Sequence, residues 1–341
     1  MSNRDRQQGV TLIELMIAMV LGLVVLGGVT AIFLANRETY RVSEGVNRMQ
    51  ENARYSFEIL GRTLREAGGN LCGATRVANV LNNASTTWWA NWGNAIRGFE
   101  SGVDDTLFPK AMGTNVADRV AGTDAVIVIT ALSNEGMVIT EHNPTSAQFK
   151  VNTTQHGLAV GDIVMACDKD HAAIFQVTNV YSSDPTIEHN TGVGNPGNCS
   201  IGLGYPTDCG SVNGNSYTFA GNGFLAKLSA EAWYIGNNSR GGRSLYRIYL
   251  ATSGNNPTTT PEEVVPDVRD MQLVYLTQTG TTLATNYVAA DTIDWNAVAA
   301  GTTRVVAVRL EITTEAPDVK FNGAALTRTW ATVVQIRNLS P

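Results

Sequence analysis

Between Leu15 and Ala35 the chain has no charged residue, and a helix of that length crosses the roughly 30 Å hydrocarbon core of a bilayer. No other feature restricts the fold as strongly, because a segment in lipid must satisfy its backbone polar groups internally and so must be helical. Arg4 and Arg6 precede the run, which keeps the short N-terminus in the cytoplasm and sends everything beyond Ala35 across the membrane. A secretory signal peptide has a similar basic start, but its apolar region is about 7 to 15 residues long and closes on a small-x-small cleavage site. Here the run is longer and no such site closes it. A plain signal anchor explains everything except Glu14, at the head of the run. An acid in an apolar segment costs on the order of a few kcal/mol at depth and less near the interface. Two explanations are open: an acid in a first helical turn suits the macrodipole, or Glu14 serves a partner outside the chain.

The order Gly9, Val10, Thr11, Leu12, Ile13, Glu14 resembles the class III signal of type IV prepilins and pseudopilins. The resemblance implies that a prepilin peptidase cuts between Gly9 and Val10 and that the new amino terminus is methylated. It also implies that Glu14 is an assembly residue, meeting the amino terminus of a neighbouring subunit as the helix leaves the bilayer and enters a fibre. A carboxylate and an ammonium attract strongly in an apolar bundle, and either one left unpaired there is costly. Val10 stands where phenylalanine is usual, and the run lacks the family's frequent proline. Gly22, Gly27 and Gly28 soften the helix instead, at about 1 kcal/mol each relative to alanine. Small residues recur at fourfold spacing, at Ala18 and Gly22 and then at Gly27, Ala31 and Ala35, a pattern that lets helices approach closely.

Beyond Ala35 the pattern becomes one-sided. Val42, Val46, Met49, Ala53, Phe57, Leu60, Leu64 and Ala67 recur at steps of three and four, the mark of an amphipathic helix. Gly68 and Gly69 supply its stop. Unbroken over residues 10–67, it would be about 85 Å long at 1.5 Å per residue. The expected organisation is a leader at 1–9 and a helix at 10–67, its first part (10–35) transmembrane or fibre core and its second (36–67) amphipathic. An exported β-rich head follows at 68–341, with room for two lobes. The 341 residues carry a net charge of -6. Removing the leader, with Arg4, Asp5 and Arg6, leaves -7, which argues against a protein whose whole surface binds nucleic acid and leaves room for a local basic patch.

Four cysteines, Cys72, Cys167, Cys199 and Cys209, all fall on the exported side. An even number in an oxidising compartment favours disulfides, with three possible pairings. Cys199 and Cys209 enclose a short loop rich in Gly and Pro and are paired on that ground, leaving Cys72 with Cys167. A metal site is not expected, because no C-x-x-C is present.

Residues 70 to 122 show little periodicity and form a long connecting region, anchored by Trp88, Trp89 and Trp92. Strand signals start at Asp124 to Leu132, where AVIVITAL is β-branched and apolar. Others follow at Gly136 to Thr140, Asp162 to Ala166, Ala173 to Tyr181 and Pro185 to Glu188. Asn190 to Asn222 is loop; its Gly192, Gly194 and Gly197 match G-x-G-x-x-G, but Pro196 lies inside and no helix follows, so no dinucleotide site is expected. Phe224 to Leu228, Ala232 to Ile235 and Leu245 to Leu250 are further strands, the last two joined by a hairpin with a mobile tip at Gly236 to Gly242. Val268 to Thr277, Arg304 to Thr313 and Thr329 to Arg337 close the chain as strands.

The strand VRDMQLVYL (268–276), Trp295 followed by VVAVRLEIT (305–313), and ATVVQIRN (331–338) look similar to the C-terminal half of PilW-type minor pilins, which are related to the J-type minor pseudopilins of type II secretion. GDIVMACDKDHAAIFQVT (161–178) looks like that family too. The resemblance implies an α+β, type IV pilin-like fold, with a long N-terminal helix packed on an antiparallel β-sheet head carrying large loop insertions. It implies a structural subunit, not an enzyme, that primes assembly of a type IV pilus and is incorporated at its tip, supporting pilus biogenesis, twitching motility and adhesion. Its partners would be other minor pilins, the major pilin, the prepilin peptidase and the inner-membrane assembly platform. The chain would cross the inner membrane once with its C-terminus periplasmic, then join the extracellular pilus. Alternatives are a minor pseudopilin of type II secretion, a tip-located adhesin or DNA-binding module using the Trp88 to Trp92 cluster and the Gly236 to Gly242 tip, and an envelope protein that never polymerises.

No catalytic constellation appears. His142, His156, His171 and His189 are scattered, and Asp168 with His171 fits solvated turn residues better than an acid/base couple. There is no P-loop or G-x-S-x-G elbow and no EF-hand spacing. No cofactor or metal is expected.

Overall fold

The structure, a computed structural model, describes residues 9–102, 106–133 and 136–338. Leader residues 1–8, including Arg4, Asp5 and Arg6, lie outside the described residues, as do 339–341 at the end of the expected head. The chain forms two compact units, one of Met1–Gln50 with Ala316–Leu326 and one of Glu51–Glu315 with Thr327–Pro341. One helix, α1 (Leu12–Glu66), runs through both. Gly68, at φ 68°, ends it, and its N–H donates to Ile129 O at 2.9 Å; a left-handed residue just past a helix end is a position that glycine takes without penalty.

The strands are β1 (Val77–Asn79), β2 (Ile96–Phe99), β3 (Ala125–Ser133), β4 (Ile139–Asn143), β5 (Gln148–Val151), β6 (Ile163–Cys167), β7 (Ala172–Gln176), β8 (Asn179–Val180) and β9 (Thr186–Glu188). They continue with β10 (Phe224–Asn237), β11 (Arg243–Ser253), β12 (Asn256–Pro266), β13 (Val268–Thr279), β14 (Thr282–Leu283), β15 (Thr303–Phe321) and β16 (Ala324–Gln335), with a short helix α2 (Trp295–Ala299) between β14 and β15. The largest sheet has the order β1-β7-β6-β10-β11-β12, with β3 also on β10 and β2 on β3. Two smaller sheets run β14-β13-β15-β16 and β4-β5-β9-β8.

The architecture is α+β, a long N-terminal helix with β-sheets. The expected antiparallel head is a mixed sheet, because β1 pairs with β7 in parallel. The expected connecting region contains two strands, β1 and β2, too short to show a period. Two strands expected at 224–228 and 232–235 are one strand, β10, whose register shifts between Lys227 and Ser229. That shift lets β6 pair with its first part and β3 with its second. β12 has no counterpart in the sequence expectation, since Pro257, Pro261 and Pro266 mask it. It lies at the end of its sheet, where a strand tolerates proline because one row of N–H groups has no ladder to join.

Within the second unit the end of α1 is part of the core. Leu60, Leu64 and Ala67 cluster with Val126, Trp233, Leu245, Leu273, Val308 and Leu310. Gly98 shows how tight this core is: a Cβ there would run into the ring and hydroxyl of Tyr275.

Candidate assembly site at the N-terminal helix

Thr11 precedes the first helical residue, and Glu14 lies three positions on. Thr11 N donates to Glu14 Oε2 at 3.0 Å, Thr11 Oγ1 donates to the same oxygen at 2.9 Å, and Glu14 N reaches Thr11 Oγ1 at 3.4 Å. This is a reciprocal capping box, which satisfies donors that a helix start otherwise leaves orphaned. The sequence carries this signal as T-x-x-E at Thr11 and Glu14, beside the first-turn acid and assembly roles expected of Glu14. Glu14 therefore has a local role, and any intermolecular role requires the cap to open or the second oxygen to be used.

From residue 9 to residue 44 every position is exposed. Val10 is 75% exposed and Leu23 70%, although α1 is long and apolar enough here to cross a membrane. Gly9 directly precedes Val10 and is itself open, with nothing within 4 Å of a built Cβ. Gly22, Gly27 and Gly28 are equally open, so no packing among the described residues requires them. Gly45 differs, because a Cβ there would lie 2.7 Å from Val319 Cγ2. In the same unit Met49, Ala316 and Val319 form a small buried cluster joined by Val46 and Leu326. Arg48 pairs with Asp318 at 2.9 Å, and Arg41 donates to Asp318 O at 2.7 Å.

The second unit holds the other residues singled out in sequence. Disulfides join Cys72 to Cys167 and Cys199 to Cys209. Trp89 is buried, and Trp88 and Trp92 pack against the same core cluster. The hairpin tip at 236–242 is tied down, not loose: Asn238 is buried, its Oδ1 accepts from Arg240 N and Gly242 N, and Arg240 pairs with Glu263.

Two histidine expectations need correction. His142 and His189 are brought together with Nε2 atoms 3.4 Å apart, and His142 stacks on Phe149 at 4.0 Å. Burial pushes His142 down to about 4, while burial with the neighbouring His142 takes His189 down to about 3. Sequence could not show this, since the two are far apart in the chain. Asp168 and His171 are buried rather than solvated, at 6% and 4% exposure. Asp168 accepts from Asp170 N, His171 N, Ala220 N and the Tyr217 hydroxyl. Burial raises its pKa, but these hydrogen bonds outweigh burial and hold it below the usual range. The His171 ring reaches Leu203 O at 2.6 Å, so the pair braces a turn.

Asp124 was not singled out. It accepts from Ser101 N at 2.8 Å and Leu273 N at 2.7 Å, and burial with Glu100 nearby raises it to about 7 against those two bonds. Its partners identify a brace between β13 and the loop after β2. Among the described residues no group of three or more His, Cys, Asp or Glu could hold a metal ion.

Neither curated proteins nor solved structures give a match to the chain. Residues 4–30 match the model of the prokaryotic N-terminal methylation motif, and residues 232–337 match that of type IV pilus-assembly protein W. The stretch 161–178 lies outside both. The first match carries Gly9, Val10 and Glu14, and the second runs from β10 to just past β16. The chain thus carries a prokaryotic N-terminal methylation motif at one end and, at the other, a region similar to type IV pilus-assembly protein W.

Proposed function

We propose that this chain is a minor pilin that primes assembly of a type IV pilus and enters it at the tip, so supporting twitching motility and adhesion. The observation that carries this reading is the fully exposed apolar stretch of α1 headed by Glu14. Such a surface is stable in lipid before assembly and among other apolar helices afterwards, but not in water. In this reading Gly9 and Val10 flank the peptidase cut. Glu14 then leaves its cap to pair with the new amino terminus of a neighbouring pilin. The β-rich region from residue 68 onward is a periplasmic, pilin-like head, later extracellular, and its long loops are insertions that select other minor pilins. The PilW match favours the pilus over type II secretion.

Intact mass of the chain isolated from membranes tests the reading. It predicts a chain starting at Val10 with one added methyl group. A chain starting at Met1 would overturn it. Deleting the gene should abolish twitching and leave exoprotein release intact; the reverse would assign the chain to secretion.

A further inference from the structure

The second unit has a cleft of about 810 Å³ between the loops after α1, the α2 turn and the end of the chain. This lies in the range of ordinary ligand sites. Arg304 and Arg337 both line it, from segments joined where Ile336 N donates to Val306 O at 2.9 Å. No Asp or Glu lines it, although the chain as a whole carries a net charge of -6. Among the described residues neither guanidinium has an acidic partner, and Arg304 Nε is buried without a hydrogen-bond partner. A half-buried guanidinium without a counterion is costly, and a carboxylate answers it with paired hydrogen bonds.

The remaining lining narrows the class of anion. Trp92 and Tyr205 offer aromatic faces, and Tyr205 is 57% exposed. Asn91 and Asn338 offer amides. Flat rings cover the C–H face of a pyranose, amides bond its hydroxyls, and arginines take a carboxylate. A phosphate backbone would call for a longer cationic track with more lysine and arginine, and the lining holds no lysine. We propose that this cleft binds an acidic oligosaccharide bearing carboxylates, of the uronic acid type. The proposal goes beyond the assembly role and does not depend on it.

The test is calorimetric titration of the full chain in non-ionic detergent with trigalacturonate, a neutral trisaccharide and a short single-stranded oligodeoxynucleotide. Trigalacturonate should bind, with about tenfold loss in Arg337→Gln, a change at an exposed position, and a comparable loss in Arg304→Gln. Binding should weaken with added salt. The neutral sugar should not bind measurably. Equal binding of the neutral sugar, unchanged binding in Arg337→Gln, tighter binding of the oligodeoxynucleotide, or no binding at millimolar trigalacturonate would each overturn the proposal.

Discussion

Two stretches of one helix obey opposite rules. Residues 12 to 44 of α1 are exposed throughout, whereas Leu60 and Leu64 near its end are each only 1% exposed. Helical propensity does not separate them, since both are rich in good helix formers. The difference is where the apolar side chains find cover. The later stretch is covered by strands of its own chain, and the earlier one has no such cover among the described residues. The glycines repeat the contrast: a Cβ built at Gly45 would crowd Val319, while one built at Gly22, Gly27 or Gly28 would meet nothing within 4 Å among the described residues.

The largest effect on the covered side should come from the disulfides. Cys72–Cys167 closes a span of 95 residues and Cys199–Cys209 one of 10. Replacing the first pair by serine should lower stability by about 5 kcal/mol and the second by about 3 kcal/mol on the chain-entropy argument, read as denaturant midpoints in detergent. Leu64→Ala should cost about 2 to 5 kcal/mol through the cavity it leaves, while Leu23→Ala should shift the same midpoint by under about 0.5 kcal/mol. Equal losses would break the comparison between the two stretches.

A smaller effect depends on pH. His142 and His189 are lowered to about 4 and about 3, so below pH 6.5 the unfolded chain takes up protons that the folded chain refuses. Their stabilisation is intact above pH 6.5 and is lost as pH falls toward 4, by about 1.4 kcal/mol per pH unit for each histidine. Asp124, raised to about 7, acts the other way: the folded chain holds its proton more tightly, and that contribution is lost as pH rises through 7. His189→Phe should flatten the acid limb and Asp124→Asn the limb from pH 4 to 7, both measured by denaturation across pH. A further change should come from glycine. Gly22→Ala gains about 1 kcal/mol of helix propensity with no clash, whereas at Gly45 the same gain is offset by crowding against Val319. Faster amide exchange over 316–326 in Gly45→Ala alone would bear this out.

The helix was legible in sequence because its pattern is long and periodic, and β3, β6, β13 and most of β15 because they are apolar and β-branched. β12 was hidden by its prolines, and β1 and β2 by shortness. The His142–His189 contact and the Asp124 brace arise from chain segments far apart, which no local pattern reports. At the candidate site Gly9, Val10 and Glu14 stood out by type and spacing. The capping box was legible too, in the T-x-x-E spacing of Thr11 and Glu14.

Glu14 is where the two halves of the contrast meet, since it caps its own helix while heading the exposed stretch. Glutamine preserves a capping box and removes the charge; Thr11→Ala removes the cap and keeps the charge, at about 1 kcal/mol. The deciding measurement is the amount of each variant recovered in sheared pili relative to membranes. The account predicts that Glu14→Gln is lost from pili while Thr11→Ala is incorporated. Normal incorporation of Glu14→Gln would contradict it and leave Glu14 as a helix cap.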